Sequence, residues 1–126
     1  MGLTLNTRQG AGHIVVEASG QISAGESCVR FQEYLKRLMS GGGSSFVIDM
    51  AGISYMDSAG LGALLSIYAT IRIQGGDLKL MNVGDHIHEA LRLTNLTQVF
   101  EIMDDETRAV ADKRLDPSSW NKPAID

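Results

Sequence analysis

Phe46-Val47-Ile48-Asp49-Met50-Ala51-Gly52-Ile53-Ser54-Tyr55-Met56-Asp57-Ser58-Ala59-Gly60-Leu61-Gly62-Ala63-Leu64-Leu65 changes its hydrophobic period halfway along, and that change decides the fold. Phe46-Val47-Ile48 is a continuous apolar run, as expected of a central strand covered on both faces. After the segment Ala51 to Asp57, apolar residues recur at helical spacing through Leu61, Leu64, Leu65, Tyr68 and Ile71 until Gly75-Gly76 stops them. The reading is central strand, connection, helix.

On the N-terminal side, Leu3 to Arg8 alternates apolar and polar residues and His13 to Ala18 is rich in β-branched ones. Gln9-Gly10-Ala11-Gly12 between them predicts a hairpin. From Gly25 the period becomes helical, with Cys28, Phe31, Leu35 and Leu38 on one face and Gly41-Gly42-Gly43 as the stop. On the C-terminal side, Asp77 to Val83 reads as a strand, Asp85 to Thr94 as a helix with Ile87, Ala90 and Leu91 inward, and Gln98 to Met103 as a last strand. Asn95 suits a left-handed helix end, and Asp104 or Asp105 would cap a final helix to about Arg114. Two opening strands followed by strand–helix alternation predict a single α/β domain over residues 1–115, with a mixed β-sheet, a parallel core and about four α-helices. Residues 116–126, with Pro117, Trp120 and Pro123, read as a tail.

Composition narrows the function. A chain of 126 residues with 44% hydrophobic and 21% charged residues suits one soluble globular domain. Its net charge of −4, with Lys and Arg scattered, offers no cationic face for phosphates, so no direct nucleic-acid partner is expected. Cys28 is the only cysteine, which rules out an intramolecular disulfide. No apolar run approaches the ~20 residues that span a bilayer, and Met1 to Gly12 lacks signal-peptide character. A cytoplasmic protein without membrane insertion is expected.

Chemistry concentrates in Ser54 to Gly62, which leads from the central strand into the helix. Ser58 falls where the helix begins, so its hydroxyl is expected to cap the first turn, with Asp57 adding negative charge near the positive end of the dipole. The same amides are a natural seat for phosphate, so a phosphoserine there is compatible with the helix. Gly60 and Gly62 are poor helix formers in the first turns, explained either by close packing or by access for a partner.

Other chemistries fit poorly. Met56 stands at the first glycine of a Gly-x-Ser-x-Gly elbow, and no spacing sets His13, His86 or His88 beside Ser58, so no catalytic residue is assigned. His86 and His88, two apart on a helix, diverge, and no metal or cofactor is expected. Gly41 to Ser45 lacks the Gly-Lys-Ser/Thr ending of a phosphate-binding loop. Cys28 reads as core, as do Met50 and Met81; Met56 fits either the core or an adaptable contact surface.

Phe46-Val47-Ile48-Asp49-Met50, Ile53 and Met56-Asp57-Ser58-Ala59-Gly60-Leu61-Gly62-Ala63-Leu64-Leu65 resemble the signature strand, loop and helix of STAS domains, and among them of anti-sigma factor antagonists. The resemblance continues through Gly76-Asp77-Leu78-Lys79-Leu80 and Ala90-Leu91-Arg92-Leu93-Thr94-Asn95-Leu96, covering roughly residues 3 to 112. It implies partner switching: the dephosphorylated protein binds an anti-sigma factor and frees a sigma factor. That anti-sigma factor is an ATP-dependent serine kinase for which Ser58 is the acceptor, and a protein phosphatase resets the switch. The chain itself would then be no enzyme. Asp57 matches the family's acidic neighbour of the acceptor, and Asp49 an acidic position at the strand's end. Ser23, in Gly20-Gln21-Ile22-Ser23, departs from the aspartate that the family usually carries there and associates with kinase recognition. Asn95 replaces a more usual glycine. The expected contact surface is Ser54 to Gly62, with Ser23 and Val83-Gly84-Asp85 at its margins, all at strand ends. Weak self-association is compatible with this reading. The alternative is a non-switching STAS interaction module, in a signalling scaffold or a lipid-transport system; the intact Asp57-Ser58-Ala59-Gly60 favours the switch and Ser23 the alternative.

Overall fold

The structure is a computed structural model and describes residues 2–103. Strand β1 (Leu3–Gln9) and strand β2 (Ile14–Ile22) form the opening antiparallel hairpin, from Leu3↔Gly20 to Gln9↔Ile14. Helix α1 (Glu26–Ser40) then crosses to strand β3 (Ser45–Met56), which runs into helix α2 (Ser58–Ile73). Strand β4 (Asp77–Met81), helix α3 (Asp85–Leu93), a 3-10 turn at Leu96–Gln98 and strand β5 (Glu101–Met103) follow. The sheet order is β1-β2-β3-β4-β5, with every pair after the hairpin parallel. The mixed sheet and its parallel core match the sequence reading, and β3 is the middle strand.

Alternation along the strands sends two sets of side chains to opposite faces. Val16, Ala18, Phe46, Ile48, Leu78 and Leu80 meet Phe31 and Leu35 of α1, Leu64, Ile67 and Ile71 of α2, and Ile87 and Leu91 of α3 in one core. Val15, Val47, Met81 and Met103 form a second, smaller buried cluster. Val47 and Ile48, both buried, therefore serve the two faces expected of a central strand. Tyr68 meets Phe100 edge to face at 5.0 Å between ring centroids, fastening α2 to the segment before β5. Lys79 is buried on β4, where Nζ pairs with Glu101 at 2.6 Å and Asp77 at 3.4 Å. Among the described residues no helix is long and apolar enough to cross a membrane.

Several boundaries differ from those read in the sequence. β2 continues past Ala18 to Ile22, and the segment Ala51 to Met56 belongs to β3, because these two stretches pair with each other: Ser19↔Gly52, Gly20↔Ile53, Gln21↔Tyr55 and Ile22↔Met56. The pairing passes two irregularities, at Glu17/Ser19 and Gly20/Gln21, which blur the alternation that would have marked it. β4 ends at Met81 because Asn82 turns the chain with φ 58°. Gln98 ends the 3-10 turn, so the last strand is confined to three residues. Asn95 takes the left-handed conformation expected of it, φ 63°. Three α-helices are present among the described residues; the expected final helix to Arg114 and the tail lie outside them.

Candidate functional site

Asp57 is the hinge between β3 and α2. Its backbone is extended, φ −96° and ψ −174°, and its carboxylate Oδ1 accepts the Gly60 amide at 2.8 Å. Asp57 therefore caps α2, correcting the expectation that Ser58 does so. The reason is reach: a capping side chain serves amides two or three residues ahead, and Ser58, already the first helical residue, is one position too late. Ser58 is exposed, and among the described residues no hydrogen bond engages its hydroxyl. A helix that does not need the Ser58 hydroxyl leaves it available for chemistry.

The second carboxylate oxygen of Asp57 reaches another element. Oδ2 accepts the Ala24 amide at 3.0 Å, tying the β2–α1 loop to the start of α2. Ser27 holds the same loop from the other side: its Oγ accepts the Ser23 amide and donates to the Ser23 carbonyl, both at 2.9 Å. The Ser23 backbone is thus held in the loop that Asp57 ties to the start of α2. The amides of Ala24 and Gly60, then those of Ala59 and Asp57 itself, hold the Asp57 carboxyl below the usual carboxylate range. A carboxylate with a depressed value contributes fully above the unfolded value, near pH 4, and its contribution fades as pH falls through the depressed one. The Ala24 and Gly60 amide resonances should titrate with one shared midpoint below the ordinary aspartate range. Separate midpoints would mean that one carboxylate does not bridge the two amides.

The two glycines part company. An added Cβ at Gly60 would stand 2.0 Å from the Ile22 carbonyl oxygen and 2.9 Å from its carbon, so this glycine lets α2 approach β2. At Gly62 it would meet nothing within 4 Å. Gly62 instead lines an open groove with Ala59 and Ala63 of α2 and with Ala24, Gly25, Glu26, Cys28, Val29 and Gln32 from the α1 side. The sequence reading missed the α1 side of this groove, because only tertiary packing brings α1 beside α2. Its one visible signal is Val29, an exposed apolar residue off the buried stripe of α1. Burial, and then the Asp57 charge, push the Cys28 thiol up, which disfavours the reactive thiolate.

The remaining predicted residues take distinct positions. Ser54 Oγ donates to the Gly20 carbonyl at 3.1 Å, steadying the end of β3, and Tyr55 beside it is half-exposed. Met56 and Leu61 pack against the main core, whereas Ala59 is exposed. Val83, Gly84 and Asp85 mark the start of α3, with Gly84 at its cap. They follow Asn82, whose Nδ2 donates to Asp49 Oδ1 at 3.2 Å, and β3 runs on from Asp49 to Met56 before Ser58 is reached. The strand register joins Ile22, beside Ser23, to Met56 at the Ser58 corner, while β4, which leads to Val83 to Asp85, last pairs with β3 at Asp49.

His13 precedes Ile14, which pairs with Phe46 at the start of β3, the sheet end opposite Ser58. His86 and His88 are exposed on α3. Among the described residues no group of three or more His, Cys, Asp or Glu could hold a metal ion.

Comparison with known proteins agrees with this architecture. The anti-sigma F factor antagonist of Paenibacillus polymyxa is 28% identical over 115 residues, covering 89% of this chain and 96% of its own. An anti-sigma factor antagonist from Mycobacterium paratuberculosis superposes with a TM-score of 0.76 at 19% identity, covering 89% of this chain and 94% of that one. The Bacillus cell fate determinant SpoIIAA in its phosphorylated form does so with a TM-score of 0.68 at 15% identity, covering 88% and 100%. Residues 4–109 match the model of the STAS domain, a span that contains all of the sheet but Leu3, together with the Asp57 hinge and Ser58, and the chain accordingly belongs to the STAS domain family.

Proposed function

We propose that this protein is an anti-sigma factor antagonist: unphosphorylated, it binds an anti-sigma factor that is also a serine kinase, and so releases a sigma factor. Phosphorylation of Ser58 by that kinase ends the binding, and a protein phosphatase restores it. The observation that carries the reading is the exposed Ser58 hydroxyl at the start of a helix capped by its neighbour Asp57. The Ser58 oxygen would attack the γ-phosphorus of ATP bound to the kinase and lose its proton, and ADP would leave. The protein is the substrate in that step and supplies no catalytic group. The antagonist relatives support the same role.

The contact surface is proposed to comprise Ser54 to Gly62, with Ser23 and Val83 to Asp85 at its margins. The apolar groove beside Ala59 and Gly62 adds a shallow seat for a partner side chain. Incubation with the anti-sigma kinase and ATP, followed by mass spectrometry, should place one phosphate on Ser58 and none on Ser58→Ala. Phosphate on another residue, or none with a kinase active on other antagonists, would overturn the assignment. The family's kinase should phosphorylate Ser23→Asp several-fold faster, since the new carboxylate would enter the loop that Asp57 holds against α2. An unchanged rate would mean that the kinase reads this corner without that charge.

A further inference from the structure

The corner at which Ser58 stands already holds an anion. Asp57 accepts the Gly60 amide at 2.8 Å and the Ala24 amide at 3.0 Å, and the Ala59 amide also favours its charged form. Gly60 and Ala59 belong to the first turn of α2, the donors that a phosphate at a helix start would use. A phosphoryl group on Ser58 therefore meets donors that are already engaged. To take them it would have to evict Asp57, and eviction would also strand the Ala24 amide, which lies on the β2–α1 loop. Among the described residues, the titratable groups that line this corner and its groove include Asp57, Glu26 and Cys28 of α1, with Tyr55 near the end of β3. Among the described residues none that lines the adjacent groove is cationic, so none of them would neutralise a second anion.

We propose that Asp57 occupies the anion position at the start of α2 and thereby keeps a phosphoryl group on Ser58 in solvent, where its whole charge faces the partner. Asp57 is on this view a positioning residue that sets the strength of the switch, and the inference rests on Ser58 being the acceptor. Removing its charge would open the position, draw the phosphate onto the helix and weaken the signal that a partner meets.

The test uses full-length protein with phosphoserine genetically encoded at position 58, with and without Asp57→Asn. Asparagine is itself a good capping residue, so the variant keeps its helix start. Phosphorus NMR should give a second phosphate pKa above the ordinary value of about 6 in the wild-type background. In Asp57→Asn it should fall by about half a pH unit or more, because a repelling charge is lost and the helix amides are gained. Equal values in the two backgrounds would overturn the proposal. Amide exchange supplies a readout that needs no variant: the Ala24 amide should keep its protection when Ser58 is phosphorylated, whereas tenfold faster exchange would show that phosphate evicts Asp57. Both measurements are made on the free protein. Failure of the switch reading would show elsewhere, as normal partner binding by the phosphorylated form.

Discussion

Ser58→Glu should lower affinity for the anti-sigma partner at least a hundredfold while leaving the melting temperature within a few degrees of wild type. The binding loss follows from charge. Glutamate, like phosphate, would set a second anion beside Asp57, and burying that pair in an interface without a cation costs several kcal/mol. About 2.8 kcal/mol already corresponds to a hundredfold change. The fold should be spared because the Ser58 hydroxyl does not cap α2; Asp57 does. An acidic residue in the first turn is moreover favoured by the helix dipole, by roughly 0.3–1 kcal/mol. Ser58→Ala should bind constitutively and melt with the wild type, with no capping loss to discount. Titration calorimetry and thermal melts on the three proteins decide the matter. Normal binding by Ser58→Glu would sink the switch, and binding lost together with the fold would sink the electrostatic mechanism.

Gly60→Ala and Gly62→Ala should move stability in opposite directions. At Gly60 the new methyl would press on the Ile22 carbonyl, which is backbone and cannot rotate aside. Overpacking of this kind costs about 1–3 kcal/mol, and the gain in helix propensity, up to about 1 kcal/mol, does not offset it. A net loss near 2 kcal/mol corresponds to a melting temperature lower by about 10 °C in a domain of this size. At Gly62 the methyl would enter open space, and the helix gains about 0.5–1 kcal/mol, or a few degrees. That more stable variant should bind its partner more weakly, since the methyl narrows the groove. Melting temperatures that fall together would show that both glycines serve packing.

Much of the architecture was legible because periods of two and 3.6 residues are local properties. The hairpin, α1, α2 and the central position of β3 follow from runs such as Phe46-Val47-Ile48 and Leu61-Leu64-Leu65-Tyr68. The segment Ala51 to Asp57 reads as a connection because its alternation is weak; the strand character of Ala51 to Met56 comes from pairing with β2, a non-local fact. At the site, the Asp57-Ser58-Ala59-Gly60 motif identified the corner but not the division of labour within it. Asp and Ser both favour helix starts, and only the backbone of Asp57 shows which of them is the cap. Gly60 and Gly62 were indistinguishable in sequence for a similar reason, since the Ile22 carbonyl that separates them arrives from another strand.

β3 pairs with β2 and β4 only from Phe46 to Asp49, and beyond Asp49 its register continues with β2 alone. The strand thus divides into an inner half anchored from both sides and an outer half anchored through β2 alone; β1 backs β2 as far as Gly20, so only Gln21↔Tyr55 and Ile22↔Met56 form a two-stranded end. Two-stranded ribbons are marginal by themselves, so fraying of this sheet should begin at those two rungs, at a cost below that of the whole domain. Ser58 follows the last rung by two residues, and the Asp57–Ala24 contact fastens that end to the β2–α1 loop. A partner that grips the corner would therefore stiffen this end of the sheet, and part of its binding energy would go into ordering those two rungs rather than into contact alone.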